Sequence, residues 1–254
     1  MQKLRNIKLT IEYDGTNFKG WQIQDKKSRT LQGEIQNALS TLCKEEIRLN
    51  GSGRTDSGVH ALGQVANFKT KSKKPLIEFR KALNAILPHD IAVREVVEVD
   101  DRFHARYSAK SKIYRYTLLN RETRSSFDRN LYHLYPWKLN LTAMRQEAKS
   151  LIGRHDFKSF QASDPAKKDL PFEKNSVRTV KRIDVKKKGN YIIIDMEANG
   201  FLYKMARNMI GSLLEVGRGH LKIGSLKNIL KKKERVKTLK TAPSQGLSLV
   251  QVKY

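Results

Sequence analysis

The sequence predicts an α+β protein made of two similar α/β halves with antiparallel sheets. Three observations carry this. Segments that alternate apolar and polar residues stand between segments with helical spacing along the whole chain. Residues 177–198 have the pattern of an antiparallel hairpin. The same order of strands and helices recurs before and after Asp100–Ala109, which sets the expected domains at residues 1–105 and 106–254. With 254 residues, 39% of them hydrophobic, each half has enough chain to bury a core.

Asn6–Tyr13 places Ile7, Leu9, Ile11 and Tyr13 on one face of a strand, and Asp14-Gly15 ends it. Leu31, Ile35, Ala38, Leu39 and Leu42 recur at helical spacing, so a helix is expected over Thr30–Cys43. Residues 51–58 form a loop of small and turn-forming residues, and a strand follows within Val59–Phe68. Pro75 opens a helix that Pro88 closes. Ile91–Val99 is a β-branched strand. In the second half, Ile113–Leu118 is a strand with Tyr114 and Tyr116 on one face. Asn140 can cap a helix that carries Leu141, Met144, Ala148 and Leu151. Val177–Val185 and Tyr191–Ala198 form the hairpin, turning at Lys188-Gly189-Asn190. A helix over Leu202–Val216 should stop at Gly217. A short basic helix near Leu226–Lys233 and a last strand at Leu247–Tyr254 complete the chain. Arg121–Asn130 and Gln161–Asn175 read as long polar loops, either functional lids or binding arms, or plain disorder.

Charge narrows the function. Fifty-one Lys and Arg against 25 Asp and Glu give a net charge of +26. A polyanion is the expected partner, nucleic acid first, because its phosphates release counterions to Lys and Arg. A solvated basic surface is the alternative. An anionic membrane is disfavoured, since the basic residues are spread over many elements. The single cysteine, Cys43, excludes an internal disulfide and a cysteine-based zinc site. The N-terminus lacks the apolar core of a secretory signal and no run approaches a membrane span, so a cytoplasmic protein is expected.

Several chemistries find no motif. No phosphate-binding G-x-x-x-x-G-K-[ST] loop, H-E-x-x-H helix or G-x-S-x-G elbow is present. Gly51-Ser52-Gly53 begins like a dinucleotide fingerprint, but Asp56 stands where the third glycine belongs. The six His residues have no ligand spacing. No metal and no organic cofactor is expected.

The segment that carries chemistry is Gly53-Arg54-Thr55-Asp56-Ser57-Gly58-Val59-His60-Ala61. It holds a carboxylate between glycines, with a cation two residues away. Glycines let a backbone approach a ligand closely. A carboxylate in a basic, phosphate-binding protein needs a reason: either it is catalytic, or Asp56 caps local N–H groups in an Asx-turn.

This segment resembles the signature of the tRNA pseudouridine synthase A family, and the resemblance runs along the chain. Tyr13-Asp14-Gly15-Thr16 and Phe18-Lys19-Gly20-Trp21-Gln22 resemble its opening segment. Phe103-His104-Ala105-Arg106, Ser108-Ala109 and Tyr114-Arg115-Tyr116 resemble its second motif. His155-Asp156-Phe157, Lys204-Met205-Ala206-Arg207-Asn208 and Gly246-Leu247-Ser248-Leu249-Val250 resemble later ones. Ser57 and Ala206 stand where Ala and Val are expected, and neither change removes a reacting group.

The resemblance implies two α/β domains whose antiparallel sheets meet at a central basic active-site cleft. It implies isomerisation of uridine to pseudouridine in the tRNA anticodon stem-loop, at positions 38, 39 and 40, with no cofactor and no metal, by a homodimer. The reaction breaks C1′–N1, turns the uracil, forms C1′–C5 and removes the C5 proton. The resemblance puts Asp56 at C1′, as nucleophile or charge stabiliser. It puts Tyr114 against the uracil. A phenol with a pKa of about 10 is a poor base, so stacking ranks above proton transfer, and a plain core aromatic is the alternative. Arg207 matches the basic partner that keeps Asp56 ionised, the alternative being a helix-surface charge. Arg54 would hold the space left by the flipped uridine, or contact a phosphate. Leu249 and Val250 would wall the pocket. Two rival functions remain on this fold: a synthase directed to another RNA such as ribosomal RNA, and a non-catalytic RNA-binding protein.

Overall fold

The structure is a computed structural model that describes residues 4–25, 27–163, 175–232, 234 and 240–254. The expected loop at 161–175 therefore lies, apart from its two ends, outside the described residues. The mixed α+β class expected from the sequence is found. The chain divides into two compact units, Met1–Lys110 with Ser248–Tyr254, and Ser111–Leu247.

The first unit contains β1 (Arg5–Tyr13), α1 (Leu31–Cys43), β2 (Asn50–Gly51), β3 (His60–Thr70), α2 (Leu76–Ile86), β4 (Ile91–Val99) and the last strand, β10 (Leu247–Lys253). β1 lies between β3 and β4, antiparallel to both. The period-two pattern read in β1 buries Ile7, Leu9 and Ile11 completely. The Thr30 hydroxyl caps α1 by accepting the Gly33 N–H at 3.3 Å. α2 ends because Leu87, which precedes Pro88, is forced into extended backbone. Phe79 on α2 packs against Phe68 on β3, with ring centroids 6.1 Å apart. A short strand is expected within Val59–Phe68, and β3 is longer, running from His60 to Thr70. β1 covers one edge, β2 and β10 share the other, and the strand is buried on both faces.

The second unit contains β5 (Ser111–Leu119), β6 (His133–Leu134), α3 (Leu141–Ala148), β7 (Gly153–Asp156), β8 (Val177–Lys188), β9 (Tyr191–Ala198), α4 (Met205–Gly217) and α5 (Ser225–Lys232). β5, β9, β8 and β7 pair antiparallel in that order, and β6 runs parallel to β5. The hairpin is β8–β9, turning on Gly189 at φ +57°. Asn140 caps α3 through Ala143 N–H at 3.0 Å, as its position suggested.

Two helix boundaries depart from expectation. α4 starts at Met205 rather than Leu202, because Lys204 takes a left-handed conformation with φ 55°. Gly217 does not stop α4. The left-handed residue is Gly219, whose N–H bonds Val216 O while His220 N–H bonds Glu215 O, a Schellman closure two residues later. Gly217 instead lets α3 pack closely: a Cβ there would lie 2.7 Å from Met144 Sδ. The buried carboxylate of Glu147 accepts the N–H groups of Gly224 and Leu226, both at 2.6 Å, and so closes the start of α5. Among the described residues no helix is long and apolar enough to cross a membrane.

Candidate active site

Asp56 sits in the loop between β2 and β3, half-buried. Its own carbonyl accepts Val59 N–H at 3.1 Å, and Gly58 at φ +74° completes the turn. That hydrogen bond closes the turn through the main chain. The backbone on either side is fixed by a buried polar network centred on Gln64 of β3, which is 0% exposed. The Gln64 side-chain oxygen accepts from Ser52 Oγ at 2.6 Å and Val65 N–H at 3.1 Å. Its amide donates to Gly53 O at 3.0 Å. Tyr13 at the end of β1 shares a 2.8 Å hydrogen bond with the Thr55 hydroxyl, next to Asp56. Burial pushes the Tyr13 phenol well above its ordinary range, so it stays a neutral hydrogen-bonding group.

A second layer presses on the loop through glycines. A Cβ on Gly15 would lie 2.0 Å from Val59 O, and one on Gly20 would lie 2.7 Å from Thr55 O. Trp21 N–H donates to Thr55 O at 3.0 Å, and Ser57 Oγ donates to Phe18 O at 3.0 Å. The opening segment of the sequence thus forms the outer wall of the Asp56 loop. Arg54 is exposed and donates to Gln22 Oε1 at 3.1 Å. Leu249 on β10 is buried and pairs with Ala61 at the start of β3, which brings it into the same unit as Asp56 and Arg54.

Tyr114 and Arg207 lie in the second unit. Tyr114 is on β5 opposite Met196 of β9, 7% exposed, and meets Phe201 edge-on at 5.0 Å. Its neighbour Arg115 points the other way and forms a two-pronged ion pair with Asp195 at 2.8 and 3.0 Å. Tyr116 is fully buried and donates to Pro243 O at 3.0 Å. Burial raises its pKa far above the ordinary phenol range, with the Arg207 charge a smaller opposing effect.

Arg207 is partly buried in the first turn of α4. A cation at that end opposes the helix dipole, so its place there is not explained by helix stability; it strengthens a positive pole that favours an anion. Its Nε donates to Ala242 O at 2.8 Å, and its carbonyl accepts Ala242 N–H at 3.1 Å. The segment 240–246 runs close over the helix because Gly211 and Gly246 have no side chain. A Cβ on Gly211 would lie 1.7 Å from Lys240 O, and one on Gly246 would lie 2.8 Å from the Tyr116 ring. One segment thus holds both Arg207 and Tyr116. Gln64 and this segment were not singled out from the sequence; a glutamine flanked by Gly63 and Val65 in a strand carries no signal of its partners. No cluster of three or more His, Cys, Asp or Glu that could hold a metal occurs among the described residues.

The family described as tRNA pseudouridine synthase matches residues 9–108 and 148–254. The chain is 46% identical over 251 residues to a tRNA pseudouridine synthase A of Caldicellulosiruptor bescii, covering 99% of this chain and 100% of that protein. It is 45% identical over 251 residues, at the same coverage, to the tRNA pseudouridine synthase A of Thermoanaerobacter pseudethanolicus. Among solved structures, a chain of "Crystal Structure of a Cbf5-Nop10-Gar1 Complex" aligns with 82% of this chain and 54% of its own. It does so at 12% identity and a TM-score of 0.32, too slight a likeness to carry weight. The full-length agreement with the family and its curated relatives is decisive: the chain belongs to the tRNA pseudouridine synthase family, the isomerases that convert uridine in tRNA to pseudouridine.

Proposed function

We propose that this synthase modifies uridines 38, 39 and 40 of the tRNA anticodon stem-loop, and that Asp56 is the group acting at C1′. The observation that supports this most is the build of the Asp56 loop. Gln64, Tyr13 and two close-packed glycines fix its backbone, and a main-chain hydrogen bond closes its turn. A preformed loop that holds an acid in a fixed place suits stabilisation of charge at a reacting carbon. The target uridine leaves the stack before reaction, since neither C1′ nor C5 can be reached within a helix. Cleavage of C1′–N1 leaves the electron pair on the uracil. After the base turns, C1′–C5 forms, the C5 proton departs and N1 takes up a proton.

In this reading Tyr114 stacks on the uracil, Arg207 keeps the Asp56 carboxyl ionised, Arg54 holds the space the uridine vacates, and Leu249 lines the pocket. The division of labour follows the domains: residues 1–105 bring Asp56 and Arg54, residues 106–254 bring Tyr114 and Arg207. The enzyme acts as a cytoplasmic homodimer without cofactor or metal. Pseudouridine mapping of cellular RNA with and without the gene tests the substrate. Loss at tRNA positions 38–40, restored with the gene, is expected. Unchanged pseudouridine there with loss in ribosomal RNA would contradict it.

A further inference from the structure

The loop between β5 and β6, residues 120–132, has no part in the chemistry above, yet it is firmly built. Arg121 folds back to donate to Thr123 O at 2.7 Å and Arg124 O at 3.1 Å. The Tyr132 hydroxyl donates to Ser125 O at 2.6 Å and accepts Ser125 N–H at 2.9 Å. Asp128 takes the left-handed conformation, φ 52°, and its carbonyl accepts Leu131 N–H at 2.8 Å. The loop walls a cleft of about 280 Å³ lined by Arg124, Ser125, Ser126, Arg129, Tyr132 and Gln245 among others, and no carboxylate lies in that lining. Glu122 and Asp128 belong to the loop but not to the cleft.

Two features say what the cleft takes. Guanidiniums and hydroxyls are the groups that bind phosphate and ribose oxygens. Beside them Phe127 stands 82% exposed, more than any other large hydrophobic side chain among the described residues. An aromatic ring presented to solvent on a stiff loop between arginines is a platform for an unpaired base. Gln245 adds the location. Its amide donates to Tyr132 O at 3.1 Å, and it belongs to the segment that holds Arg207 through Ala242 and Tyr116 through Pro243.

We propose that this cleft holds the backbone of a nucleotide neighbouring the target uridine, with Arg124 and Arg129 on its phosphates and Phe127 stacked on an unpaired base. The inference rests on the RNA-modifying reading above and names a specificity element for it. The test measures binding of an anticodon stem-loop RNA by full-length protein carrying Asp56→Asn, so that turnover does not enter. Arg124→Ala/Arg129→Ala should make the slope of log affinity against log salt shallower by about 2, one for each lost phosphate. Phe127→Ala should weaken binding about tenfold, the scale of one stacked base, and Phe127→Trp should restore it. With Asp56 intact, the loss should fall on KM rather than kcat. An unchanged salt slope and unchanged affinity would overturn the proposal. So would a Phe127→Ala protein that sediments as a smaller species with full RNA affinity, which would assign the ring to a protein interface. A wild-type enzyme that forms no pseudouridine in the stem-loop, yet binds it through these residues, would refute the catalytic reading alone.

Discussion

The Asp56 loop and the 120–132 loop are both irregular, and they are held in opposite ways. The first is tied to two strands by groups far away in sequence: Tyr13 reaches Thr55 across 42 residues, and Gln64 holds Gly53 from inside β3. It is buried beneath and closed over by Gly15 and Gly20. The second is tied mainly to itself, through Arg121, Ser125 and Tyr132, and keeps its tip in water. The contrast fits the two tasks proposed for these loops. A group acting at a reacting carbon must be placed within a fraction of an ångström, and only long-range burial holds a loop that tightly. A segment that grips a flexible polyanion can rely on order made by its own local hydrogen bonds.

The largest test of that contrast is Gly15→Ala. The new methyl would lie 2.0 Å from a backbone carbonyl that cannot step aside. A loss of about 3 kcal/mol in chemical denaturation is expected, with activity falling further than stability alone explains. The same change at Gly189, where nothing lies within 4 Å, should cost less, the remaining penalty being its φ of +57°. Equal losses at the two glycines would remove the steric account.

Gln64→Leu comes next. It leaves Ser52 Oγ and Gly53 O without the partners Gln64 supplies, at a cost of about 2–3 kcal/mol. Its activity should fall mainly in kcat, because the loop that carries Asp56 loosens while the RNA-binding surface stays. A variant that lost RNA affinity and kept kcat would mean that Gln64 serves the fold elsewhere.

Tyr132→Phe is the corresponding change in the other loop. It removes the hydroxyl that bonds Ser125 twice and should cost about 1 kcal/mol. Its effect should appear in KM more than in kcat, the reverse of Gln64→Leu. The two profiles together would break the comparison if they matched.

The smallest effect concerns acid. His133 lies at the foot of the 120–132 loop, with Nδ1 at 3.2 Å from the Tyr116 oxygen. Tyr116 gives its proton to Pro243 O, so His133 Nδ1–H is the donor in this pair. Burial lowers the His133 pKa below its ordinary 6.5. A depressed value means the unfolded chain takes up the proton first, so the stabilising contribution is full above about pH 6.5 and is lost as pH falls through the folded value. The melting temperature of wild type should therefore decline slightly more between pH 7 and 5 than that of His133→Asn. Parallel curves would show that His133 does not titrate with folding.

Much of this was legible in the sequence because the controlling forces are local. The alternation in β1, the Asn140 cap and the Pro88 stop each act within a few residues, and each is found in place. The Asp56 loop stood out because glycines, a cation and an acid cluster within nine residues. What escaped was set by distant partners. β3 shows little alternation because it is buried on both faces, and Gln64 looks like an ordinary strand polar residue until Ser52 and Gly53 close on it. Gly217 looked like a stop signal, but the packing of Met144 explains it and the left-handed turn falls to Gly219. The four-residue strand β7 and the two-residue strand β6 are too short to show a period.

The central claim is that the Asp56 loop is a rigid scaffold for one reacting carboxylate. Asp56→Asn tests it most directly, since asparagine preserves shape and the main-chain turn but carries no charge. The measurement is paired: affinity for the anticodon stem-loop by filter binding, and release of tritium from C5-labelled uridine in tRNA. The account predicts a folded protein with RNA affinity equal to wild type or slightly tighter, because a carboxylate beside phosphates repels them, and no tritium release. Tritium release near the wild-type rate would contradict it.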